Sequence, residues 1–141
     1  MSKEDRMKMT KSSSLLREGA VWVSGFNGKL MRISEKRADI EKSSFTIQSC
    51  IPMMGRHFFY KMSPRTRCTA DQLLPWFPIA DSGRTIAVGL IIQGQLAFNK
   101  RTKKNWFEKP YRADVKVVIT SGPQCYYDAA DSPGVVALHI Y

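Results

Sequence analysis

The run TIAVGLIIQGQLAF, residues 85–98, holds fourteen residues without a charge. Its β-branched and aliphatic side chains fill both phases of a two-residue period, which predicts a strand covered on both faces. Gly89 and Gly94 inside it predict a bulge or a close backbone approach. The run is shorter than the roughly 20 residues that span a bilayer, so any membrane contact is expected to be peripheral.

Elements of matching period flank this run. AVWVS (20–24) and KLMRIS (29–34) read as a hairpin around Gly25-Phe26-Asn27-Gly28, because Asn and Gly tolerate the positive φ of tight turns. After the charged connector EKRADIEK, SFTIQSCI (44–51) alternates, with Phe45, Ile47, Ser49 and Ile51 on one face and Thr46, Gln48 and Cys50 on the other. PMMGRHFFYKMSPRTR reads as loop or irregular strand. Thr69 to Gln72 has capping-box spacing and predicts a short helix limited by Pro75, after which Trp76 and Phe77 cap the core. Asp81-Ser82-Gly83 reads as a turn. YRADVKVVIT (111–120) alternates, Tyr111, Ala113, Val115, Val117 and Ile119 inward, and predicts the antiparallel partner of 85–98; Ser121-Gly122-Pro123 ends it, and VVALHIY (135–141) is a last strand after a loop from Asp128 to Gly134. The expected class is α+β, mainly β: a single domain with a five- or six-stranded, mostly antiparallel sheet and one or two short helices over residues 19–141, preceded by a flexible arm at 1–18. A chain of 141 residues supports one such core, burying roughly 68% of its unfolded surface.

Chemistry is sparse. The two histidines, His57 and His139, and the thiols Cys50, Cys68 and Cys125 form no nucleophile or zinc spacing, and there is no G-x-S-x-G, P-loop or H-E-x-x-H. Three widely spaced cysteines and no apolar stretch in MSKEDRMKMTKSSS read as reduced, mostly buried thiols in a reducing compartment: a protein that is cytoplasmic, membrane-associated or in a virion, and not secreted. His57 is expected in a binding patch and His139 on a solvent-facing strand position. Asp114, Asp128 and Asp131 are the available carboxylates for a metal, but the last two lie beside turn residues, where Asp is common for turn reasons alone. The expectation is a non-enzymatic protein without a cofactor or a metal site.

What the sequence emphasises is adhesion. The formal net charge is +10, which draws the molecule to polyanions through a force that salt screens. In FNKRTKKNWFEKPYR (98–112), Lys100, Arg101, Lys103, Lys104, Lys109 and Arg112 surround Trp106 and Phe107, as a tongue between two strands. A secondary patch has Arg56, Lys61, Arg65 and Arg67 around Phe58, Phe59 and Tyr60. Cationic chains pair with phosphates while flat rings stack on bases or settle at a lipid interface. The same residues therefore serve an anionic membrane surface or single-stranded nucleic acid.

RTIAVGLIIQG at 84–94 followed by VKVVITSGPQC at 115–125 resembles the paired core strands of the matrix proteins of negative-strand RNA viruses, particularly rhabdoviruses. The resemblance implies a non-enzymatic structural protein that self-associates and bridges an acidic membrane and a nucleoprotein–RNA complex. The chain departs from that family in being shorter and in lacking P-P-x-Y and P-T/S-A-P tracts, so a budding role is not part of what is implied. The reading from residues alone keeps a single-stranded nucleic-acid-binding protein, of movement or silencing-suppressor type, as the alternative.

Overall fold

A computed structural model describes residues 19–96 and 106–141. The arm at 1–18 and the greater part of the tongue lie outside the described residues. Seven strands form two antiparallel sheets: a hairpin of β1 (Ala20–Ser24) and β2 (Leu30–Ser34), and a five-stranded sheet in sequential order of β3 (Phe45–Ile51), β4 (Gly55–Tyr60), β5 (Trp76–Asp81), β6 (Arg84–Gln93) and β7 (Val135–Ile140). Three short helices complete the mainly β, α+β domain: α1 (Arg37–Glu41), α2 (Arg112–Val118) and α3 (Gln124–Asp131).

The expected two-sided cover of β6 is what organises the fold. Ala87 and Ile91 face a cluster with Val115 of α2, Ile119 that caps it, and Tyr126 and Ala129 of α3. Val88 faces the opposite cluster, with Val23 and Ile33 of the hairpin and Ile40 of α1. The sheet is thus a middle layer between a hairpin and a helix pair, a standard solution for burying both faces. The hairpin is tied on by backbone bonds from Arg37 to Gly83 (3.0 Å) and from Thr85 to Glu35 (2.7 Å). In its turn, Asn27 and Gly28 adopt φ of 55° and 69°, the left-handed geometry expected of them.

The same layering corrects the reading of 52–67. Phe58 and Phe59 are adjacent on β4, so they point to opposite faces, and both are buried, Phe58 toward the hairpin and Phe59 toward the helices. Within the segment expected as loop or irregular strand, residues 55–60 are thus a regular strand, while 52–54 and 61–67 are turn and loop. Residues 76–81 are also strand: Phe77 lies flat on Phe59, ring centroids 4.9 Å apart. Pro78 pairs with Val88 of β6 but has no paired position on its β4 side, where the ladder joins only Arg56 to Ala80 and His57 to Ile79.

Three further expectations change. Within 111–120, residues 112–118 form helix α2, and β6 pairs instead with β7, from Val88↔Ile140 to Gln93↔Val135. Val115 and Ile119 satisfy a helical period as well as an alternating one, Val118 fits the helical period alone, and Asp114 accepts the Tyr111 backbone N–H at 2.9 Å, closing the first turn. Thr69–Gln72 makes one turn and stops: Gln72 and Leu73 both donate to the Thr69 carbonyl at 2.9 Å, while the Gln72 side chain accepts from the Arg67 N–H. In β3, a bulge between Ile47 and Cys50 breaks the alternation, burying Gln48 and leaving Ile47 52% exposed.

The cysteines also depart from expectation. Cys68 and Cys125 form a disulfide, and Cys50 is free and exposed. The pairing removes the thiol argument for a reducing compartment, since structural disulfides persist where the surroundings are oxidising. No helix among the described residues is long and apolar enough to cross a membrane.

Candidate adhesion surface

Residues 106–111 run from the undescribed part of the tongue into α2. Glu108 and Ala137 of β7 exchange two backbone hydrogen bonds, of 2.8 and 2.9 Å, which fasten these residues to the sheet. This bridge places a short extended piece against the outer edge of the sheet. The Glu108 carboxylate also lies 3.2 Å from Nδ1 of His139. On either side of the anchor the rings face outward. Trp106 is 67% exposed, Phe107 36% and Tyr111 80%, with Lys109 exposed between them. Large rings at this exposure are uncommon on a surface that touches nothing, and a rim of basic residues is the usual frame of a binding patch.

The rest of the expected tongue divides. Lys100, Arg101, Lys103 and Lys104 lie outside the described residues. Arg112, expected as a cation of the patch, is instead a clamp between helices: its two terminal nitrogens hold Asp128 and Asp131 of α3. Those carboxylates push the Arg112 guanidinium further toward its charged form. The Gln124 amide, and then Arg112, hold Asp128 below its usual range. Asp128 and Asp131 thus serve α2–α3 packing and Asp114 serves a cap. Among the described residues no three His, Cys, Asp or Glu side chains gather closely enough to hold a metal ion.

The secondary patch does not assemble as a stacking surface. Phe58 and Phe59 are core residues. Tyr60 is half-buried between Phe26 (5.6 Å) and Phe45 (5.7 Å), with the Lys61 ammonium 5.5 Å from its ring centroid. Arg56 turns back onto the sheet, donating to the Gln48 carbonyl at 2.9 Å. Lys61, Arg65 and Arg67 remain as exposed cations. The cause is the double cover of the sheet: on such a strand consecutive aromatics are both interior, so aromatic content next to Arg and Lys did not signal display.

Both histidines depart from expectation as well. His57 is buried, stacked on Phe77 at 5.8 Å and edge-on to His139 at 6.0 Å. His139 packs edge-on to Phe77 at 5.5 Å and keeps only 11% of its side chain exposed. Burial lowers the His57 pKa to about 4, against the bond to the Gly55 carbonyl, which favours the charged ring. Because the folded value lies below the unfolded 6.5, the unfolded chain takes the proton first. This contribution to stability is complete above about pH 6.5 and declines as pH falls toward 4. Lowering the pH from 7 to 5 is expected to cost the wild type about 2 kcal/mol more than it costs His57→Leu, read from urea unfolding at both pH values. Equal losses in the two proteins would refute the assignment.

Sequence reasoning missed Glu108 as the anchor and Tyr111 as a displayed ring. The first is a backbone interaction with no side-chain signature. The second followed from reading 111–120 as a strand. No protein-family model matches the chain, and no curated protein or solved structure is significantly similar to it.

Proposed function

We propose that this chain is a non-enzymatic adhesion protein of the viral matrix type, which associates with copies of itself and holds an acidic membrane surface through the 98–112 segment while engaging a ribonucleoprotein. The observation that carries the reading is the outward display of Trp106, Phe107 and Tyr111 around Lys109, fixed to the sheet at Glu108. Aromatic rings favour the headgroup region, where each nearby basic residue adds about 1 kcal/mol of attraction to anionic lipid. The net charge of +10 extends that attraction over the whole molecule. The single-stranded nucleic-acid alternative has less support, because Phe58 and Phe59, two of its stacking rings, are interior.

The test is co-sedimentation with vesicles of phosphatidylcholine containing phosphatidylserine, beside a single-stranded RNA titration across salt. The expected result is phosphatidylserine-dependent pelleting that weakens about tenfold in Trp106→Ala/Phe107→Ala and in Lys103→Glu/Lys104→Glu. Tight RNA binding with a steep salt slope, lost in Trp106→Ala while vesicles are ignored, transfers the function to nucleic acid. A strictly monomeric species by light scattering at high concentration counts against self-assembly.

A further inference from the structure

The chain from Ser43 to Ala70 holds no Asp or Glu. Within it, the loop that leaves β4 carries Lys61, Arg65 and Arg67, all exposed. Hydrogen bonds close this loop on itself: the Thr66 hydroxyl donates to the Lys61 carbonyl at 2.9 Å and accepts the Ser63 N–H at 2.9 Å, while the Thr66 N–H donates to the Ser63 carbonyl at 3.1 Å. Arg65 and Arg67, the chain neighbours of Thr66, are thereby brought beside Lys61. Two contacts then fix the loop to the start of β3. Lys61 donates its N–H to the Ser44 carbonyl at 2.7 Å, and the Thr46 hydroxyl lies 3.0 Å from the Met62 carbonyl. The first draws in Lys42, exposed two residues before Ser44.

Cations gathered in this way raise the local potential and attract an anionic partner. None of the four forms an ion pair among the described residues; Asp71 feels the Arg67 charge without bonding to it. The rings and apolar chains next to them are not displayed. Phe58, Phe59 and Met62 are interior, and Tyr60 is half-buried with the Lys61 ammonium already over its face. This separates the loop from the 106–111 surface. A lipid interface rewards inserted rings together with charge, whereas the phosphates of a nucleic-acid strand need only fixed cationic donors, and a guanidinium meets a phosphate with two parallel hydrogen bonds. A loop already set in shape also loses little freedom on binding. We propose that Lys42, Lys61, Arg65 and Arg67 form a contact for the phosphate backbone of single-stranded RNA, held without regard to its bases. The contact shares no residue with the 98–112 segment; it rests on the adhesion reading for its ribonucleoprotein setting and supplies that reading with a surface and a chemistry.

The test is fluorescence anisotropy of a labelled oligouridylate, about 20 nucleotides long so that it exceeds an ordinary single-strand site, titrated with the full chain across salt. Arg65→Gln/Arg67→Gln is expected to weaken binding about tenfold and to lower the salt slope by about 1.4, since each phosphate contact on a single strand contributes about 0.7. Lys42→Gln/Lys61→Gln is expected to do the same, and carries the test if the arginine pair does not fold. Lys36→Gln/Arg84→Gln removes equal charge from exposed positions that bridge at the other end of the strands. Its effect is expected to stay below about threefold, which separates the loop from the general pull of a +10 molecule. Oligocytidylate of the same length is expected to bind within about threefold of oligouridylate, because no ring meets the bases. Pelleting with phosphatidylserine vesicles is expected to survive in the arginine variant. Wild type that holds RNA through the loop yet ignores vesicles supports the contact and ends the adhesion reading. The proposal is overturned if the wild type shows no saturable RNA binding at about 0.15 M salt, if folded loop variants bind as it does, or if Lys36→Gln/Arg84→Gln weakens RNA equally. A tenfold preference between the two homopolymers overturns it too, as does a loop variant that loses vesicles while RNA is ignored, which gives the loop to lipid.

Discussion

Cys68→Ser/Cys125→Ser is expected to lose about 4 kcal/mol of stability in urea unfolding, the largest effect of any substitution considered. The bridge joins residues 57 apart, and cross-linking a loop of that length removes about 4 kcal/mol of chain entropy from the unfolded state. The native side adds to the case. Residues 61–75 contain no helix or strand and separate β4 from β5, so the disulfide is a covalent tie between this long connection and α3. Cys125 is exposed, which leaves the bridge open to reductant. Dithiothreitol is therefore expected to bring the wild type to the stability of the double serine variant, while Cys50→Ser, at an exposed free thiol, changes little. A loss below about 1 kcal/mol would mean that this connection holds its place without the bridge.

Gly89→Ala is expected to be nearly as severe, about 3 kcal/mol, for a reason of space alone. A Cβ at this position would lie 1.9 Å from Cζ of Phe77 and within 2.4 Å of two more atoms of the same ring. The ring cannot yield easily, being buried, stacked on Phe59 and flanked by both histidines. Overpacking of this kind forces backbone or rotamer shifts at about 1–3 kcal/mol, toward the upper end where the neighbour is rigid. Phe77→Leu clears room, so the double variant Gly89→Ala/Phe77→Leu should be more stable than the sum of the single losses predicts, by about 1 kcal/mol or more. Simple additivity would show that the clash is relieved some other way.

The close approach at Gly89 was legible because a glycine in an otherwise unbroken apolar strand needs a packing reason. The double cover of β6, the hairpin with its Asn27–Gly28 turn, and the final strand were legible for similar reasons: each is a strong local pattern with one physical solution. The 111–120 segment was not, because Val115 and Ile119 share a face at both the strand and the helix period, and only long-range competition with 135–140 for the edge of β6 decides between them. The adjacent rings of β4 misled because the basic residues beside them suggested solvent, whereas strand geometry sends Phe58 and Phe59 into separate interiors. The disulfide left no local trace, since residues so distant in sequence meet only after the fold exists. For the candidate surface, Trp106, Phe107 and Lys109 were legible as a basic and aromatic cluster. The reassignment of Arg112 to a helix clamp depended on α3, whose acidic residues had been read as part of a loop.

The strand-like bridge at Glu108 also limits how copies of this chain could join. It occupies the middle of β7's outward backbone, while β3, at the opposite flank, has no further strand beside it among the described residues. A sheet with one flank taken can extend only from the other, so two molecules meeting through β3 use up the open edge of their five-stranded sheets and form a twofold pair there. Growth beyond a pair into an extended array then finds no further edge on the five-stranded sheet and falls to the β1–β2 hairpin, the loops and the helices.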